Sequence, residues 1–175
     1  ELKKIKKRES LFTGVAKIDS HFGFPSGYYV ICGNPGSGKG WFATWLSRVF
    51  NKHHGIKSVY FSLEMSEQLV RSRILQQWSD LTKEEFESNG DTSHAINLLK
   101  EDIFILDTFY DDDTKFQTPE NFEKWVYAYY EIGFRMFHFD HLHELEGAND
   151  NSSNQKVTDK WAKTFQKICK DLPDI

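Results

Sequence analysis

The segment Gly33-Asn-Pro-Gly-Ser-Gly38-Lys39 constrains this chain more than any other stretch. It fits the spacing G-x-x-x-x-G-K and follows a short apolar, β-prone run, Tyr28 to Cys32. After it, Trp41, Phe42, Trp45, Leu46, Val49 and Phe50 recur on one face of a helix. A glycine-rich turn between a strand and a helix lets backbone N–H groups face inward around phosphate oxygens, and the helix presents its positive end to them. Lys39 then reaches the β- and γ-phosphates as a mobile cation. The predicted nucleotide-binding set is Gly33, Asn34, Pro35, Gly36, Ser37, Gly38, Lys39, Gly40 and Trp41.

The rest of the chain reads as alternating strands and helices. Gly55 caps the first long helix, and a second strand covers Ser58 to Leu63. Ser66 stands as N-cap to a helix carrying Leu69, Val70, Ile74 and Leu75, and Thr82-Lys-Glu-Glu85 has capping-box spacing. A third strand covers Ile103 to Leu106. A helix then opens on Thr118-Pro119 and runs to Gly133. Phe134 to Phe139 is a fourth strand, and the last helix covers Val157 to about Lys170. This alternation predicts an α/β fold, a mostly parallel sheet with helices on both faces. The stretch from Gly147 to Asn154 is predicted to be a mobile loop, and residues 1–12 a basic linker.

Composition closes off other classes. No apolar run approaches the roughly 20 residues that span a bilayer, and no signal peptide opens the sequence. Two distant cysteines, Cys32 and Cys169, make no disulfide framework, and Cys32 is expected to be packing material in a buried strand. The expected location is therefore the cytoplasm, with no membrane partner. A net charge of −4 argues against wholesale nucleic-acid binding while leaving room for a local basic groove.

Three further positions bear on chemistry. Gly40 stands where a Ser or Thr would offer its hydroxyl to Mg²⁺, and Thr44, one helical turn on, points at the wrong depth to replace it. Such a defect spares nucleotide binding more than hydrolysis. Asp140 ends an apolar parallel strand, where a carboxylate would hold Mg²⁺. Glu64 follows the second strand. It would either polarise the water that attacks the γ-phosphate or sit favourably near the start of the next helix. His138, His141 and His143 are not expected to form a zinc site, because alternation along a strand puts His138 and His141 on opposite faces. Asp111 to Asp113 reads as a solvated loop.

Thr13-Gly14 with Ile18-Asp19, Pro25 through Lys39, Phe61-Ser-Leu-Glu-Met-Ser66 and Met136 to His143 together resemble the RecA-type ATPase domain of DnaB-family replicative helicases, in the form of phage primase-helicases. The resemblance implies a RecA-like P-loop NTPase with ATP and Mg²⁺ as cofactors. Lys39 and Glu64 would be catalytic, and Asp140 the metal carboxylate. It also implies a ring-forming homo-oligomer, hexameric in the family's manner, that moves along single-stranded DNA, with a primase as a neighbour. The γ-phosphate sensor and arginine finger would lie beyond Ile175, so the functional protein is expected to be longer and the domain, residues 13–175, to stop before the sensor strand. That strand inserts between the phosphate-loop strand and the Asp140 strand, which leaves a gap in the sheet. The segment 147–156 falls where the family has a DNA-tracking loop, which nominates Asn154 and Lys156 as DNA contacts. Gly40 keeps an alternative open: a nucleotide-binding module with weak or no hydrolysis, acting as a regulator or assembly scaffold.

Overall fold

A computed structural model describes residues 10–21, 23–79, 81–88, 96, 103–107, 118–140, 154–172 and 174. Its strands are β1 (Ser10–Leu11), β2 (Phe24–Pro25), β3 (Lys57–Ser62), β4 (Ile103–Asp107) and β5 (Phe134–Asp140). The helices are α1 (Ala16–Asp19), α2 (Lys39–His54), α3 (Glu67–Trp78), α4 (Lys83–Glu87), α5 (Pro119–Glu131) and α6 (Asn154–Asp171).

β3 lies between β4 and β5 in a parallel three-stranded sheet, and β1 pairs antiparallel with β2. Being central, β3 must be covered on both faces, and its sequence Lys57-Ser-Val-Tyr-Phe-Ser62 meets that demand by alternation. Val59 and Phe61 pack with Phe122, Val126 and Tyr129 of α5 and Trp161 and Ile168 of α6. Tyr60 turns the other way, toward Val70, Ile74 and Trp78 of α3 and Ile103 and Ile105 of β4. Helices on both faces of a parallel sheet are what the alternation predicts.

The helix ends follow their sequence signals. Gly55 takes a left-handed conformation, its N–H donates to the Asn51 carbonyl, and that of Ile56 donates back to Phe50. The Thr82–Glu85 capping box forms with both of its hydrogen bonds. Thr118 caps α5 through the Asn121 N–H, with Pro119 in the first turn. Ser66 occupies the cap position of α3, yet its hydroxyl makes no cap hydrogen bond.

Several expectations need correction. Residues 28–32 are not a sheet strand; Tyr28 and Val30 are 43% and 62% exposed, and Cys32 is exposed rather than buried. Among the described residues nothing pairs with the second edge of β5, and all of its residues are only partly buried. An apolar run is read as a strand on the assumption that a neighbour pairs with it, and here no described neighbour does. The last helix starts at Asn154, so Asn154 to Lys156 form its first turn instead of ending a loop. Trp41 and Phe42 are exposed, whereas Leu46, Val49 and Phe50 of the same helix are core. His141, His143, Asp111 to Asp113 and most of the predicted 147–156 loop lie outside the described residues.

Candidate nucleotide-binding site

The loop before α2 has the backbone its glycines permit. Gly38 is left-handed at φ 88°. A Cβ on Gly33 would lie 2.6 Å from the Ser37 hydroxyl, so a larger residue there would require that hydroxyl to turn away. The Ser37 N–H closes the turn on the Asn34 carbonyl. The Lys39 ammonium curls over the loop and donates to the carbonyls of Gly33 (2.9 Å) and Asn34 (3.0 Å). A phosphate group would compete with those carbonyls for a charge already positioned.

Register carries the acidic groups to this loop. Because Ser58, Tyr60 and Ser62 of β3 pair with Met136, His138 and Asp140 of β5, all these side chains share one face. Ser47 of α2 lies on that face, its hydroxyl 2.6 Å from His138 Nε2. Asp140 ends β5 beside the start of α2: a Cβ on Gly40 would stand 3.9 Å from its Oδ2. The Tyr60 hydroxyl donates to the same Oδ2 at 2.7 Å. Burial, and then the Asp140 charge, push the Tyr60 phenol well above its ordinary range, so it remains a donor.

Glu64 stands at the same end of the sheet. The Leu63 N–H donates to the Asp140 carbonyl at 2.7 Å, tying the exit of β3 to the end of β5. Ser62 then locks the turn, donating to the Met65 carbonyl and accepting from its N–H. This turn carries Glu64 exposed at its tip. Lys39, Gly40, Glu64 and Asp140 thus gather at the carboxyl end of the strands. The side chains of Asn154 and Lys156 lie outside the described residues.

The structure brings in two residues that sequence reading overlooked. Tyr60 is one; Arg73 of α3 is the other, its Nη1 3.0 Å from where a Cβ on Gly40 would be. Val70, Ile74 and Trp78 form the buried stripe of α3, and Arg73 and Gln77 flank it one turn apart. Gln77 donates to the Trp41 carbonyl and accepts, through its own carbonyl, from Arg48 Nη1. The Arg73 and Gln77 side of α3 therefore faces α2. The i, i+4 spacing from Gln77 was visible in the sequence; which helix it would meet was not.

These residues do not by themselves fit Mg²⁺ in the usual way. The hydroxyl is missing at Gly40, and Thr44 Oγ1 is buried and spent on the carbonyls of Gly40 and Trp41. Among the described residues no three His, Cys, Asp or Glu side chains gather as ligands.

His138 instead gives the fold a pH dependence. Burial pushes its pKa down to about 4, with the Asp140 charge opposing. The residue is partly exposed, but its ring tip bonds to fully buried Ser47. A base whose folded pKa is lowered favours unfolding when protonated. Stability is therefore full above the unfolded value of about 6.5 and falls as the pH drops toward 4, by on the order of 2 kcal/mol. Urea unfolding of wild type and His138→Leu at pH 7.5 and 5 should show a steeper loss in the wild type; equal losses would contradict this.

No curated protein and no solved structure matches this chain. No helix of the described residues is long and apolar enough to cross a membrane. The sequence profile of the DnaB-like helicase C terminal domain matches residues 10–173. The match spans nearly the whole of a chain with a parallel sheet and helices, and the chain belongs to the family of DnaB-like helicase C-terminal domains.

Proposed function

We propose that this chain is the ATP-driven motor unit of a DNA helicase, coupling ATP binding and hydrolysis to movement along single-stranded DNA. One observation carries the reading: the start of α2 and the end of β5 converge, placing Gly40 within 3.9 Å of Asp140 Oδ2 by its would-be Cβ. Residues 33–41 would bind the triphosphate through backbone N–H groups and the Lys39 ammonium. Glu64, exposed one turn beyond β3, would orient the attacking water and accept its proton. Asp140 keeps the place of the metal carboxylate, held by Tyr60. The donor set is one hydroxyl short; Mg²⁺, when bound, would neutralise phosphate charge.

The finer features come from the family resemblance. They are a RecA-like sheet completed by a strand beside β5, a hexameric ring with ATP between subunits, an arginine finger in trans, and a primase neighbour. Among the described residues β5 has a strand neighbour on one edge and residues 28–32 form no strand, which supports a further strand between them. Asn154 and Lys156, now in the first turn of α6, remain the candidate DNA contacts, and residues 13–175 the proposed ATPase unit behind a basic linker.

Gly40 favours one other reading, a nucleotide-gated scaffold without turnover. Steady-state ATP hydrolysis with and without single-stranded DNA separates the two. The motor reading expects stimulation by DNA of about tenfold or more, since a charge completing a phosphoryl-transfer site is worth at least that. ATP binding without turnover under either condition would leave the scaffold.

A further inference from the structure

We propose that Arg73 is a phosphate-binding residue of the nucleotide site, its guanidinium entering through the space that Gly40 leaves open. This rests on the nucleotide-site reading above and adds a ligand to it. Position 40 is where a Ser or Thr hydroxyl would be offered to Mg²⁺. There the structure has no side chain, and Arg73 Nη1 lies 3.0 Å from where the Cβ would begin. Asp140 Oδ2 and the Tyr60 hydroxyl each lie 3.9 Å from that point. A positive group thus stands beside the start of α2, near the acidic strand end.

Three further observations fit a ligand rather than a structural arginine. Arg73 is half-buried, and no hydrogen bond or ion pair to a described residue uses up its five donors. Asp140 Oδ2 is already engaged by Tyr60, which draws on its acceptor capacity at this point. The helix bearing Arg73 is clamped to α2 by Gln77 Nε2 on the Trp41 carbonyl (2.9 Å) and by Arg48 on the Gln77 carbonyl (2.7 Å). The guanidinium is therefore held near the phosphate loop without being consumed there. A planar fork suits phosphate oxygens, and its charge needs no hydroxyl ligand. Gly40 then ceases to be only a defect: it is the opening through which a protein cation reaches the phosphates.

The test is equilibrium binding of a fluorescent ATP analogue to the chain, in Mg²⁺ and in EDTA. For the wild type, removing Mg²⁺ should weaken binding by less than about threefold, whereas Arg73→Gln should weaken it about 10- to 100-fold in EDTA, the range for a charged hydrogen bond. Arg73→Lys, which keeps the charge but loses the fork, should fall between. Gly40→Thr places a side chain against the guanidinium. It should impose a Mg²⁺ dependence and shrink the effect of Arg73→Gln to less than about threefold in the double variant. Wild-type binding with Arg73→Gln unchanged would overturn the proposal and leave the nucleotide site standing. No binding by the wild type, or binding indifferent to Lys39→Ala, would overturn the nucleotide site itself. Should circular dichroism show Arg73→Gln unfolded, Gly40→Thr decides alone: unaltered affinity in EDTA would overturn the proposal.

Discussion

Replacing Glu64 by Gln is expected to lower ATP turnover by about 10²- to 10⁴-fold, the span of a general base, while nucleotide affinity stays within about threefold. The substitution keeps the side chain's size and hydrogen-bonding reach and removes only its capacity to take a proton. Glu64 is exposed on a turn fixed by Ser62 and by the Leu63 N–H bond to Asp140, so the fold should tolerate the change. Single-turnover hydrolysis beside equilibrium binding reads both quantities. Equal losses in affinity and turnover would make Glu64 a binding residue. Unchanged turnover would assign it the blander role of a carboxylate near the start of α3.

The largest stability effect is expected at Trp161. Its ring lies against those of Phe122, Phe139 and Phe165 at centroid distances of 5.6, 5.0 and 5.7 Å, and the residue is 2% exposed. It joins α6 to both α5 and β5. Trp161→Ala should cost about 3–5 kcal/mol, the range for deleting a buried aromatic side chain, and lower the melting temperature on the order of 10 °C. Trp161→Phe keeps most of the contact and should cost clearly less. The ion pairs on the same helix, Lys160 with Glu120 and Lys167 with Glu123, are surface pairs and cannot make up the difference. Thermal melts of the two variants check the ranking; a loss below about 1 kcal/mol for Trp161→Ala would mean that α6 is anchored elsewhere.

Local patterns were the legible part of the sequence. The caps at Gly55, Thr82 and Thr118 are decided within a few residues, and each appears where expected. The same holds for β3 and β5, whose alternation sorts Phe61 and Phe139 to one face and Tyr60, His138 and Asp140 to the other. Residues 28–32 fail for a non-local reason: a strand needs a neighbour, and apolar composition cannot supply one. Trp41 and Phe42 share helical spacing with core residues yet are exposed, since that spacing names a face without saying what covers it. Arg73 and Tyr60 escaped notice because their importance comes from meeting Gly40 and Asp140 across 33 and 80 residues of chain, and no motif spacing records that.

The central claim is that Gly33 to Lys39 cradles a polyphosphate beside Asp140. Amide chemical shifts of the isotope-labelled chain during titration with a non-hydrolysable ATP analogue test it most directly. Saturable shifts are expected, centred on the amides of Gly36, Ser37, Gly38, Lys39 and Gly40, with smaller ones at Asp140 and their loss in Lys39→Ala. Shifts centred elsewhere, or none at millimolar analogue, would contradict it.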